Sequence, residues 1–191
     1  MVQLASEAVA PTRAVKLIVL DRDGVINHDS PQFIKSPDEW RPIPGSLEAI
    51  ARLTQAGWRV VVATNQSGVG RGLMAMSSLN AINSRMHKAV NQAGGRIEAV
   101  FYCPDTAESQ SPCRKPNPGM FFAIAERLNV ALDQAPCVGD SLRDLQAATA
   151  VGAHPILVLS GKGAKTRSAG KLPEGTAIYP DLAAVAYALC Q

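Results

Sequence analysis

Short apolar runs alternate with amphipathic segments along most of the chain. Five runs predict buried strands, at residues 16–20, 58–63, 97–102, 135–138 and 155–159. Apolar residues at helical spacing predict helices over 45–55, 77–93, 120–128, 141–151 and 181–189. Continuous apolar strands separated by single helices are typical of a parallel sheet with helices on both faces. We therefore expect one α/β domain over residues 15–191, with an N-terminal arm at 1–14 and short loop insertions at 28–44 and 103–113.

Composition narrows the range of partners. The chain has 191 residues, of which 47% are hydrophobic and 18% charged, as in an ordinary globular protein. Its formal net charge is only +3 and only 5% of its residues are aromatic, so we expect no nucleic-acid partner. The sequence contains neither a long apolar span nor a signal-peptide pattern, so we expect a cytoplasmic protein without a membrane partner. A monomer is the default expectation.

Polar residues that suit phosphate chemistry follow successive predicted strands. Asp21 and Asp23 come directly after the first strand, Thr64 follows the second, Lys115 precedes the fourth and Asp140 follows it. Ligands of parallel sheets bind at the carboxyl ends of the strands, so we expect these side chains to converge.

The chemistry of this set can be argued from the residue types. Asp21 is already anionic at neutral pH and can attack phosphorus as a nucleophile, while Asp23 can serve as general acid and base. Thr64 and Lys115 can stabilise charge on the phosphoryl oxygens. Carboxylate oxygens from Asp21 and Asp140 are ligands that suit Mg²⁺. The pattern predicts a magnesium-dependent phosphatase.

Four segments together resemble the haloacid-dehalogenase-like phosphohydrolases: DRDGV at 21–25, ATNQSG at 63–68, RKPNPGM at 114–120 and VGDSLRD at 138–144. The resemblance implies a three-layer α/β/α, Rossmann-like parallel sheet, without a large cap domain. It implies that Asp21 is the nucleophile and Asp23 the acid and base. It further implies that Mg²⁺ binds the Asp21 carboxylate, the Asp23 backbone carbonyl and Asp140, with Asp144 outside the first coordination shell.

A narrower resemblance rests on LDRDGVIN at 20–27, TNQSGVGRG at 64–72, FYCP at 101–104 and CRKPNPGM at 113–120. These segments resemble the branch of this family that removes the 7-phosphate from heptose 1,7-bisphosphate, a step toward ADP-heptose and the lipopolysaccharide core. It implies a small phosphorylated sugar as partner. It assigns substrate binding to Asp29, Ser30, Pro31, Gln32, Asn65, Gln66, Ser67 and Arg114. Two alternatives remain: a histidinol-phosphate phosphatase, a class with similar motif sequences, and a non-catalytic phosphosugar-binding protein. The second is disfavoured because every motif residue is intact.

One loop departs from the family pattern. Many members carry a zinc loop with a C-x-H and a C-x-C motif; here Cys103 and Cys113 remain, but Asp105 and Ser111 stand at two ligand positions. Structural zinc sites almost always consist of four Cys or His ligands. Cys103 and Cys113 are therefore only weak zinc candidates, and we expect a self-packed loop with two free thiols.

Overall fold

A computed structural model describes residues 16–191, so the predicted arm at 1–14 lies outside the described part of the chain. Six strands form one sheet: β1 (Leu17–Leu20), β2 (Arg59–Asn65), β3 (Ala99–Cys103), β4 (Pro136–Gly139), β5 (His154–Val158) and β6 (Ala177–Tyr179). The α-helices are α1 (Ser46–Gln55), α2 (Ser67–Gly70), α3 (Met76–Gln92), α4 (Gly119–Leu128), α5 (Leu142–Thr149), α6 (Gly163–Ala169) and α7 (Leu182–Leu189). Short 3-10 turns cover Pro37–Glu39 and Ala107–Ser109. Among the described residues, no helix is both long and apolar enough to cross a membrane.

The sheet is parallel throughout, with the strand order β3-β2-β1-β4-β5-β6. The chain first builds outward from β1 through β2 to β3, and then returns to the other side of β1 to add β4, β5 and β6. The direction of building therefore reverses between β1 and β4. Open parallel sheets bind ligands at such a reversal, outside the carboxyl ends of the strands.

Alternate residues of the buried strands pack into two separate hydrophobic cores, because successive side chains point to opposite faces of a sheet. On one face, Ile18 and Leu20 pack with buried residues of α1, α3 and α7. On the other face, Leu17 and Val19 pack with residues of α4 and α5. The result is the predicted three-layer α/β/α arrangement, which confirms the fold class. Burying both faces makes these strands read as continuous apolar runs.

Three short elements were missed by the sequence pattern. β6 has only three residues, none of them fully buried, and so gives no apolar run. α6 lies within the basic segment 162–171, and its residues lack an amphipathic repeat. α2 is a single turn directly after β2. Tertiary contacts hold these elements: Thr166 Oγ1 in α6, for instance, donates to the Asp140 carbonyl oxygen at 2.8 Å.

Candidate active site

The acidic residues that follow β1 and β4 meet where the sheet order reverses. Leu20 lies beside Val138 in the sheet, and the Asp21 amide continues the ladder by donating to the Val138 carbonyl at 2.9 Å. Carboxylate oxygens of Asp21, Asp140 and Asp144 lie within 4.8 Å of one another, and all three residues are buried. Like charges this close repel, so the cluster needs compensating positive charge.

Lys115 supplies part of that charge. Its side chain is 2% exposed, and its Nζ lies 3.1 Å from Asp21 Oδ1 and 2.6 Å from Asp144 Oδ1. The same ammonium donates to the Ala63 carbonyl oxygen at 2.7 Å. Burial acts to lower the pKa of Lys115, but the neighbouring carboxylates outweigh burial and raise the pKa, so the ammonium stays charged. Lys115 lies beneath the pocket as a fixed charge.

Asn65 fixes the loop that carries Lys115. The Lys115 amide donates to Asn65 Oδ1 at 3.1 Å, and Asn65 Nδ2 donates to the Lys115 carbonyl oxygen at 3.0 Å. Asn65 is the last residue of β2, so these two bonds join the sheet edge to the loop. Asn65 also lines the cavity described below, so it contacts both the predicted site and the loop that carries Lys115.

Asp23 is held by three neighbours. Arg22 Nε and Nη2 lie 3.0 Å from its two carboxylate oxygens, and Asn27 Nδ2 and Gln66 Nε2 each donate to it at 2.8 Å. Burial acts to raise the pKa of Asp23, but the Arg22 charge and these hydrogen bonds outweigh burial and lower it. Gln66 Nε2 also donates to Thr64 Oγ1 at 3.0 Å, which links the end of β2 to the segment after β1.

The three clustered carboxylates differ in their tendency to ionise. Burial raises the pKa of Asp21 despite the nearby Lys115. Burial, together with the charges of Asp21 and Asp144, raises the pKa of Asp140 to about 7. Burial also acts on Asp144, but Lys115 and Arg143 outweigh it and lower the pKa. Lys115 therefore compensates Asp144 more fully than it compensates the other two.

The surroundings of Asp140 fit a divalent cation. Its Oδ2 accepts from the Lys162 amide at 2.8 Å, whereas its buried Oδ1 has no partner among residues 16–191. Gly24 and Gly161 both have positive φ, and a Cβ at either position would overlap the Asp140 carboxyl group. The two glycines leave room for the carboxyl group of Asp140, and its unpartnered buried Oδ1 has the donor chemistry that Mg²⁺ prefers.

Asp144 belongs to α5 and to the floor of the site at once. It forms a capping box with Ser141, in which the Asp144 carboxylate accepts from the Ser141 amide at 3.0 Å. Gly139 is essential to this approach, because a Cβ there would overlap the Asp144 side chain. The capping box fixes the carboxylate that faces Lys115.

A cavity of about 210 Å³ opens above this cluster. Most of the sequence-predicted residues line it, namely Asp21, Asp23, Asp29, Ser30, Pro31, Thr64, Asn65, Gln66, Ser67 and Arg114. Gln32 does not: it lines an adjoining depression with His28 and Lys35. Pro31 and Gln32 are both exposed in the 28–44 loop, but Pro31 lines the cavity whereas Gln32 lines the depression beside it.

Four lining residues were not predicted: Phe33, Ile34, Arg143 and Lys162. Lys162 pairs with Asp29, Nζ to Oδ2 at 2.5 Å, and so joins the 28–44 loop to the segment after β5. Arg143 lies inside the fourth motif at 138–144, directly before Asp144. A charged residue beside a motif aspartate is the signal that could have found it.

The loop at 103–113 differs from the expectation of two free thiols. The structure joins Cys103 and Cys113, whose Cα atoms are 5.8 Å apart, as a disulfide. The expectation was wrong because the loop folds back on itself and returns Cys113 to the end of β3. Asp105 Oδ2 lies 3.7 Å from each of the two sulfur atoms, and Ser111 Oγ lies 3.2 Å from the sulfur of Cys113.

Comparisons with known proteins agree on one family. A family model described as HAD-hydrolase-like matches residues 112–185. Over 177 residues the chain is 58% identical to the D-glycero-beta-D-manno-heptose-1,7-bisphosphate 7-phosphatase of Bordetella bronchiseptica, covering 93% of this chain and 99% of the relative.

Two solved structures share the fold and much of the sequence. The D,D-heptose 1,7-bisphosphate phosphatase of B. bronchiseptica, complexed with magnesium and phosphate, is 58% identical, with a TM-score of 0.90 over 92% of this chain and 98% of that one. The D,D-heptose 1,7-bisphosphate phosphatase of Burkholderia thailandensis is 55% identical, with a TM-score of 0.74 over 91% of this chain and 97% of that one.

Proposed function

The chain belongs to the haloacid-dehalogenase-like hydrolases and is a phosphatase, and on that premise we propose that it removes the 7-phosphate from D-glycero-D-manno-heptose 1,7-bisphosphate with Mg²⁺. The observation that carries the proposal is the buried cluster of Asp21, Asp140, Asp144 and Lys115 beneath a pocket walled by arginines. The similarity to relatives with that activity supports the choice of sugar.

Asp21 is the proposed nucleophile. Its Oδ1 accepts from the Arg22 amide at 2.8 Å and faces Lys115, which leaves Oδ2 to attack phosphorus. The new bond from Oδ2 to phosphorus forms as the bond between phosphorus and the sugar oxygen breaks. The product of this half-reaction is an aspartyl-phosphate, and the electron pair of the broken bond goes to the sugar oxygen.

Thr64 and Lys115 stabilise the phosphoryl group in transit. Both are buried, Thr64 at the end of β2 and Lys115 beneath the nucleophile. Because their positions are fixed before substrate arrives, they need little reorganisation as charge builds on the phosphoryl oxygens. Asp144 acts on Lys115 and holds its ammonium in place.

Asp23 is the proposed general acid and base. It gives a proton to the departing sugar oxygen and later takes one from the water that hydrolyses the aspartyl-phosphate. Its hydrogen bonds favour the ionised form before substrate binds. A phosphate dianion arriving beside it opposes this ionisation by charge repulsion.

Mg²⁺ would be held by the carboxylates of Asp21 and Asp140 and by the Asp23 backbone carbonyl. When bound, it supplies positive charge that lets a dianionic phosphate approach an anionic nucleophile. The unpartnered Asp140 oxygen and the raised pKa of this group support the assignment. Zinc has no part in the proposal, because Asp105 and Ser111 complete a poor ligand set with the two cysteines.

The substrate-binding part of the proposal rests on the pocket walls. Asp29, Ser30 and Pro31 from one loop, with Asn65, Gln66 and Ser67 after β2, would contact the sugar. Arg114 carries a guanidinium that suits a second phosphate, because its donors can bind two phosphate oxygens at once. Gln32, which lies outside the pocket, could reach substrate only through a movement of its loop.

The test is phosphate release by the purified protein in Mg²⁺ from both anomers of heptose 1,7-bisphosphate and from histidinol phosphate. We expect the heptose to be preferred in kcat/KM, and phosphorus NMR of the product to show the 1-phosphate retained. A preference for histidinol phosphate by orders of magnitude would overturn the choice of substrate. Retained turnover in the presence of chelator would overturn the metal assignment.

We also propose that the enzyme acts in the cytoplasm as a monomer, on the path to ADP-heptose and the lipopolysaccharide core. The low net charge supports the absence of a nucleic-acid or membrane partner. Sedimentation of the purified protein tests the monomer, and a dimer at micromolar concentration would contradict it.

A further inference from the structure

Arg143 is a charged residue that the structure leaves without a protein partner. It lines the pocket, and its buried Nε has no hydrogen-bond partner within residues 16–191. None of the ion pairs in the described part of the chain includes its guanidinium. Buried donors in folded proteins are normally satisfied, so this group is set up for a partner that comes from outside the chain.

The position of Arg143 in α5 strengthens this reading. It is the second residue of the helix, where the helix dipole disfavours positive charge. Its neighbour Asp144 cannot offset this fully, since Asp144 is committed to Lys115 and Ser141. Burial acts to lower the pKa of Arg143, but the charges of Asp144, Asp21 and Asp140 outweigh burial, so the guanidinium stays charged. An anionic ligand would compensate for this placement.

Arg114 lies in the same cavity with most of its donors unused. One of them, Nη1, donates to the Asp105 carbonyl oxygen at 2.9 Å and so fixes the side chain to the 103–113 loop. Burial lowers the pKa of Arg114, and the charge of Arg143 lowers it further, as expected for two guanidiniums near each other. Within residues 16–191, neither guanidinium forms an ion pair with a carboxylate.

The other cations of the pocket are already engaged. Lys115 faces Asp21 and Asp144 at the floor, where the phosphoryl group reacts, and Lys162 pairs with Asp29. Arg143 and Arg114 are thus the two lining cations without a carboxylate partner in the described chain. A second phosphate, carried by the same sugar as the reacting one, has the charge and the multiple acceptors that two guanidiniums bind.

We propose that Arg143 joins Arg114 to bind the phosphate of the substrate that is not transferred. This rests on the proposed function, since it concerns a sugar bisphosphate at the same site, and it makes Arg143 a determinant of specificity. A monophosphate with only the reacting group would not use this contact. Arg143 should therefore matter more for a bisphosphate than for the corresponding monophosphate.

The test compares kcat/KM for heptose 1,7-bisphosphate and heptose 7-phosphate in wild type and Arg143→Gln. We expect Arg143→Gln to lower kcat/KM for the bisphosphate about 10- to 100-fold, the range for losing one charged hydrogen-bonding partner. The fall for heptose 7-phosphate should be smaller by at least about tenfold. Arg143→Lys, which keeps the charge without the fork of donors, should recover part of the loss.

Arg71→Gln is the matched control, because Arg71 also lowers the pKa of Arg114 by its charge but does not line the pocket. It should change neither substrate's kcat/KM by more than about twofold. Equal falls for both substrates in Arg143→Gln would assign Arg143 to the reacting phosphoryl group instead, and no fall for either would leave it without a substrate role. Both results overturn the proposal, provided that the thermal midpoint shows a folded variant.

The proposed function is judged separately, by wild-type turnover of the heptose bisphosphate. Should that turnover be absent, the same ratio is measured with fructose 1,6-bisphosphate and fructose 6-phosphate as the pair. A ratio that Arg143→Gln leaves unchanged would overturn the inference, whichever sugar the enzyme prefers.

Discussion

The floor and the rim of the pocket are built in opposite ways. The floor consists of buried residues: Asp21, Thr64 and Asp140 at strand ends, Asp144 in the first turn of α5, and Lys115 in a loop that Asn65 joins to the end of β2. The rim consists of loops at 28–44, 103–114 and 159–162, together with Arg143 at the start of α5, and its contacts include partly exposed ion pairs such as Lys162 with Asp29. Fixed groups suit chemistry that all substrates share, whereas loops can vary with the substrate.

The two regions also differ in how their charges are balanced. Floor charges compensate one another inside the protein, as Lys115 does for Asp21 and Asp144. On the rim, Arg114 and Arg143 remain without carboxylate partners among the described residues. The difference agrees with the proposal that the floor charges serve both catalysis and the fold, whereas the unpaired rim charges bind substrate. Substitutions in matched pairs can test this.

The largest contrast is expected between two aspartates. Asp21→Asn on the floor removes the proposed nucleophile and should lower kcat at least about a thousandfold. Asp29→Asn on the rim disturbs only an ion pair and a sugar contact, so kcat/KM should fall about 3- to 30-fold. Steady-state phosphate release measures both. Comparable losses in the two variants would break the distinction between floor and rim.

A second contrast concerns two lysines and the free energy of unfolding. Lys115→Met leaves Asp21 and Asp144 buried without their cation, which should cost about 3–5 kcal/mol. Lys162→Met breaks a pair in which the lysine is 54% exposed, so the cost should stay below about 1 kcal/mol. Urea denaturation without Mg²⁺ measures both. Similar costs would show that Lys115 is not a structural counter-ion.

The fold was largely readable from the sequence because both faces of the sheet are covered. Runs such as 16–20 and 58–63 are continuously apolar, and the helices between them carry clear amphipathic faces. β6 and α6 escaped because they are short and held by tertiary contacts, such as the bond from Thr166 to Asp140. Local pattern cannot report a contact with a residue 26 positions away.

The site residues also divide into those that the sequence pattern locates and those that depend on tertiary structure. Asp21, Thr64 and Asp140 could be located because strand ends meet at one edge of a parallel sheet, whatever the loops do. The sequence shows Arg143 only as a charged residue beside a motif aspartate, because the direction of its side chain depends on how α5 begins at the Ser141 cap. The Cys103–Cys113 pairing depends on the path of a loop, which residue types alone do not specify.

A third prediction concerns pH and metal at the floor. The folded pKa of Asp140 is about 7, against an ordinary value of 3.8. Between these values the folded state binds more protons than the unfolded state, so stability falls as pH rises from about 4 to about 7. Without metal the contribution of Asp140 should amount to about 2–4 kcal/mol. Urea denaturation in chelator across this range measures it.

Asp140→Asn is the control for that prediction, because it removes the titrating group and retains the acceptor for the Lys162 amide. The variant should lose this part of the pH dependence, and Mg²⁺ should stabilise wild type at pH 7 more than it stabilises the variant. Identical pH profiles for wild type and Asp140→Asn would contradict the assignment of this pH dependence to the Asp140 carboxyl group.

The smallest effect is expected at the outer rim, in the 103–113 loop. Two sulfurs, the Asp105 carboxylate and the Ser111 hydroxyl make a poor zinc site, so elemental analysis of the purified protein should find well under one zinc per chain. The double change Asp105→His and Ser111→Cys supplies Cys and His ligands and, in reductant, should raise zinc toward one per chain. The loop contacts the pocket through Arg114 and not through a residue proposed to react, so kcat of the double variant should differ from wild type by less than about threefold. Stoichiometric zinc in the unaltered protein would contradict the prediction. A cation would then stabilise this rim loop, as Lys115 stabilises the carboxylates of the floor.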